Sequence, residues 1–61
     1  MKHWKVNYSI RYENEISDEV AQIEAENITS AAYKAFVNIV EPIQKDPEVK
    51  AVVIKIGRAH V

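Results

Sequence analysis

Apolar and polar side chains alternate without a break from His3 to Tyr12. Trp4, Val6, Tyr8, Ile10 and Tyr12 hold one set of positions; His3, Lys5, Asn7, Ser9 and Arg11 hold the other. A period of two fits an extended strand with one face buried and one face wet. Such a strand needs pairing partners at its edges and a cover over its apolar face, so the rest of the chain is read for both.

The polar break Glu13-Asn14-Glu15 predicts a tight turn, with Asn14 suited to a left-handed backbone. Residues 16–26 then read as a second strand. Ala21, Ile23 and Ala25 share one face, whereas Ile16 and Val20 fall on the other. A bulge between residues 16 and 21 would return Ile16 to the core side. Asn27 is a good N-cap for a helix starting at Ile28. Ile28, Ala32, Ala35, Phe36, Ile39, Val40 and Ile43 recur at helical spacing and predict its buried stripe, opposite Lys34, Asn38 and Glu41. Pro42 should end or kink the regular helix near residue 41, and Asp46-Pro47 marks the next turn. Val49 to Ile56 is β-branched and apolar apart from Lys50 and Lys55, which predicts a third strand. Gly57 marks a bulge or the end of that strand.

A short turn makes the first two strands an antiparallel hairpin. A right-handed crossover through the helix then sets the third strand beside the first. The expectation is an α+β fold of ββαβ type: a three-stranded antiparallel sheet in the order 2-1-3 with one helix on one face. The helix should cover Trp4, Val6, Tyr8 and Ile10, with Ile23 and Ile54 alongside. The other face should present His3, Lys5, Asn7, Ser9, Arg11, Gln22, Glu24 and Lys55 to water.

With 61 residues the chain has room for one domain, spanning 1–61, with marginal stability. It has no cysteine, which removes a disulfide framework and thiolate metal sites and fits a reducing, cytoplasmic setting. No apolar run reaches signal-peptide or membrane-spanning length, so no membrane role is expected. The net charge of −1 hides an order along the chain. Lys2, Lys5 and Arg11 come first, then Glu13, Glu15, Asp18, Glu19, Glu24 and Glu26, and finally Lys50, Lys55 and Arg58. On the 2-1-3 sheet this order becomes a gradient from an acidic edge to a basic one.

Candidate sites follow from this layout. Lys5, Arg11 and Lys55, with His3 and Arg58, form a stripe that could meet phosphates, although a solvated sheet face needs such charges anyway. The third strand is an edge whose segment Ala51-Val52-Val53-Ile54 is guarded only by Lys50 and Lys55; it could pair with a partner's strand or with its own copy. Tyr33 and Val37 flank the helix stripe and could begin a partner-binding patch, against the plainer reading of stray surface residues. His3 and His60 stand at the chain ends, where a ligand or acid–base role is poorly supported. The acidic run of the second strand has no ligand-loop spacing and reads as protection of an edge. No nucleophile–base constellation, glycine-rich phosphate loop or zinc spacing is present, and so short a chain has little room for a pocket of ~300 Å3. An enzyme, a metal site and a cofactor are not expected.

Ile23-Glu24-Ala25-Glu26-Asn27, followed by Ala31, joins the second strand to the helix. Together with the opening Lys2-His3-Trp4 and the ββαβ plan, this joint resembles the small bacteriophage inhibitors of bacterial RNA polymerase. Their final strand carries basic partner contacts, for which Lys55 and Arg58 are the nearest matches. The joint is also similar to that of the archaeal ribosomal L-X family, which is generally basic, as this chain is not. The resemblance implies a phage or mobile-element accessory protein that acts by binding a host protein. The leading expectation is therefore a non-enzymatic protein-binding module, with an RNA- or ribosome-associated protein and a structural homodimer as the alternatives.

Overall fold

The computed structural model describes residues 1–59. Three strands, β1 (Lys2–Arg11), β2 (Ile16–Ala25) and β3 (Ala51–Arg58), form one antiparallel sheet in the order β2-β1-β3. Between β2 and β3 the chain forms α1 (Ile28–Ala35), a π-helical turn (Phe36–Val40) and α2 (Glu41–Gln44). The fold is the expected ββαβ arrangement, with the helix on one face of the sheet. Among the described residues no helix is long and apolar enough to cross a membrane.

Trp4 is the hub of the core. It packs with Ala25, Ala31 and Ile56, and its indole N–H donates to the Ala25 carbonyl at 3.0 Å. Val6, Ala35 and Val40 complete the buried set. Alanines at 25, 31 and 35 bring the helix backbone close to the sheet and bury little area of their own, so the core is small.

Three local expectations are corrected. The β1–β2 turn closes through Tyr12 N–H donating to the Glu15 carbonyl at 2.8 Å, and no described residue has positive φ, so Asn14 does not use the left-handed region. A loop of this length can close on right-handed backbone. The bulge in β2 is absent: pairing runs unbroken from Lys2↔Ala25 to Arg11↔Ile16. A bulge would leave one residue of this ladder unpaired. Ile16 and Val20 consequently stand on the open face, 63% and 59% exposed. Gly57 is likewise no bulge, since Lys5↔Gly57 lies within a continuous register that runs on to Arg58.

The helix departs from its predicted stripe for a related reason. Asn27 caps it as expected, its Oδ1 accepting from the Ser30 N–H at 2.9 Å. The helix then passes Pro42 and reaches Gln44, but through a π turn just ahead of the proline. A π turn closes i→i+5 bonds, here Glu41 N–H to the Phe36 carbonyl, and so stacks residue i+5 over residue i. Ala35 and Val40, five apart, are therefore both buried. At 3.6 residues per turn they would point about 140° apart. The sheet-facing set becomes Ala31, Ala35 and Val40, with Ile39 and Ile43 half-buried. Ile28 and Phe36, predicted inside, are 53% and 48% exposed.

Candidate functional site

The register fixes where each candidate residue stands. On the open face, Lys5 lies between Gln22 and Gly57, Asn7 between Val20 and Lys55, Ser9 between Asp18 and Val53, and Arg11 between Ile16 and Ala51. Lys5 and Lys55 thus occupy adjacent rows. Arg11 is six residues from Lys5, roughly 20 Å along the strand. The Asp18 row intervenes, its carboxylate accepting from the Ser9 hydroxyl at 2.6 Å. Glu24 faces the His3 imidazole at 3.8 Å at the far end. The bases therefore do not merge into one stripe.

Arg58 is on the opposite face. It pairs with Trp4, and its guanidinium sits over the indole, 5.5 Å from the ring centroid. Strand parity separates it from Lys55, which corrects its expected place beside Lys5 and Arg11. His60 lies outside the described residues.

Backbone pairing shows which groups of the edge strands are free. Ala59 N–H donates to the His3 carbonyl at 3.0 Å, so His3 and Ala59 are a hydrogen-bonded pair. In an antiparallel ladder such pairs alternate. Odd residues of β3 therefore bond to β1, and the N–H and C=O groups of Val52, Ile54, Ile56 and Arg58 point away from the sheet. By the same parity, Tyr12–Glu15 leaves Asp18, Val20, Gln22 and Glu24 facing out from β2.

The two edges differ in protection. The β2 edge carries Asp18, Glu19 and Glu24, and the Lys34 ammonium donates to the Glu24 carbonyl at 2.7 Å. Acids on an edge oppose strand pairing, and the lysine occupies one free acceptor. The β3 edge has no acid and a single lysine, Lys55. Among the described residues no strand pairs with its outer side. Val53 flanks this edge on the open face, 52% exposed, beside Lys55; Arg58 flanks it on the helix face.

The helix adds apolar surface. Residues 32 and 36 are each two positions from Lys34, or about 200° around the axis. Lys34 reaches β2, so Ala32 and Phe36, with Ile28 one turn earlier, occupy the flank toward β3. Tyr33 and Val37, 71% and 38% exposed, lie on the outer side of the helix rather than at the edge. The exposure of Phe36 was not legible from a steady helical period; Pro42 was its only signal.

An open depression of about 810 Å3 separates the β1–β2 turn from the loop before β3. It is larger than a chain of this length was expected to hold. Its walls include Tyr12, Glu13, Glu15, Asp46, Glu48 and Lys50, all in or beside loops. Asp46 Oδ1 is committed to the Glu48 N–H at 2.9 Å. Among the described residues no three His, Cys, Asp or Glu side chains come together to hold a metal ion. Comparison of this chain with protein families, with curated proteins and with solved structures finds no match.

Proposed function

We propose that this protein is a non-enzymatic protein-binding module that takes a partner's strand along the outer edge of β3. The observation that carries this reading is the asymmetry of the two edges. Both have free backbone groups, but β2 is guarded by acids and by Lys34, whereas β3 has no acid and opens with the apolar run Ala51–Ile54. Backbone hydrogen bonds would supply affinity, and Val53, Lys55 and Arg58 would contact alternate side chains of the added strand. Occlusion of a host protein, as the resemblance to phage inhibitors implies, is one use of such an edge; self-association is another. The absence of cysteine supports a cytoplasmic setting.

The test blocks the edge without altering any side chain. A chain of 61 residues is accessible to chemical synthesis, and N-methylation of Ile54 removes an outward N–H. Bacterial cytosol is passed over unmodified and N-methylated bait, with and without nuclease. A protein retained by the first and lost from the second supports the reading. Equal capture by both sinks it. Nucleic-acid binding through Lys5 and Lys55, the second reading, is favoured by their adjacent rows and predicts capture that nuclease abolishes and salt weakens steeply.

A further inference from the structure

We infer that the strand taken by the β3 edge is β3 of a second copy, paired antiparallel about a two-fold axis at Ile54 to give a continuous six-stranded sheet. This inference rests on the edge reading above and names its occupant.

Shape is the first argument. A compact monomer of 7.0 kDa exposes about 4,040 Å2, whereas this chain exposes 4583 Å2. The excess, roughly 540 Å2, is most of the ~800 Å2 that each partner buries in a standard interface. The radius of gyration is 12.0 Å against about 10.5 Å for a compact domain of this length. The chain is a thin slab, 37 × 19 × 11 Å, with a core whose largest fully buried side chain is Val6. Doubling the sheet is the direct way for so small a core to gain cover.

Register is the second argument. A symmetric antiparallel pair must join outward-facing residues, which on β3 are even-numbered. Two registers overlap the strand most fully. One places Lys55 directly opposite Lys55 of the second copy, and like charges facing each other in a ladder are destabilising. The other sets Ile54 against Ile54, Val52 against Ile56 and Val53 against Lys55 of the second copy. It has no like-charge pair at its centre, Lys50 meeting Arg58 of the second copy only at the two ends, and it joins the half-buried Val52, Ile54 and Ile56 of both chains into one apolar row under the helices. Ile28 and Phe36 lie on the helix flank that faces this seam.

The chain contains no cysteine, so crosslinking reports the register without background. Val53 and Lys55 of the second copy form a non-hydrogen-bonded pair, whose short Cα separation suits a disulfide. Val53→Cys and Lys55→Cys chains are mixed in equal amounts and oxidised mildly. The unmodified chain is examined by sedimentation equilibrium at micromolar to millimolar concentration. Expected are a mass of twice 7.0 kDa and a mixed Val53→Cys/Lys55→Cys disulfide in several-fold excess over either symmetric one. A statistical mixture of crosslinks overturns the register. A monomer at every concentration overturns the second copy. In that case, capture of another protein that N-methylation of Ile54 abolishes would leave the edge reading standing, and capture insensitive to it would remove both.

Discussion

The Trp4 indole N–H donates to the carbonyl of Ala25, the last residue of β2, across 3.0 Å. This bond ties the central strand to the point where the chain leaves the sheet for the helix. Trp4→Phe keeps a ring but leaves a buried acceptor without its donor, at a cost of about 1–3 kcal/mol. A chain of 61 residues has roughly 3–9 kcal/mol of stability in total. Urea melts followed by far-ultraviolet circular dichroism should show an earlier midpoint for Trp4→Phe, and little folded protein for Trp4→Ala. An unchanged midpoint for Trp4→Phe would mean that the bond contributes nothing.

The π turn makes a sharper prediction, because it sends two nearby valines to different environments. Val40 is 7% exposed and Val37 is 38% exposed. Val40→Asp buries an unpaired charge and should leave the chain largely unfolded. Val37→Asp should change stability by less than about 0.5 kcal/mol. In an unbroken α-helix both positions would point away from the sheet. Equal, small effects on thermal melting would therefore refute the rephasing.

Asn27 holds the start of α1 through its bond from the Ser30 N–H. Asn27→Ala should cost about 1 kcal/mol, whereas Asn27→Asp or Asn27→Ser should lie close to the parent. Chemical denaturation of the three variants checks this. Equal losses for all three would point to a role other than capping.

Gly57 lies in extended backbone opposite Lys5, and a Cβ there would meet nothing within 4 Å. Gly57→Thr should raise stability by about 0.5–1 kcal/mol, since it limits the unfolded chain and suits a strand. A lower melting temperature would show that the position needs glycine for a reason other than space.

Much of this fold is legible in residue order. Alternation over His3–Tyr12 sets β1 and its two faces, Asn27 sets the helix start, and the β-branched run before Gly57 sets β3. These signals are local: each depends on the period or conformational preference of a few neighbouring residues. The strand order follows from them once short turns and crossover handedness are applied. The candidate site is legible in part. Val53 and Lys55 are where a third edge strand would put them, but Arg58 belongs to the other face, because one residue of parity decides the side.

Tertiary structure decided what local preference leaves open. Ile16 and Val20 remain outside because the ladder with β1 runs unbroken, so strand parity keeps both on the open face. Phe36 remains outside because Ala31 and Ala35 face the sheet and the π turn ahead of Pro42 rotates Val40 onto it instead. Part of the protection of the β2 edge depends on Lys34 reaching a carbonyl ten residues earlier in the chain. Residue order set the elements and their pairing, through periodicities that act over a few residues. Only packing between elements decided which apolar residues the small core would use and which it would leave exposed.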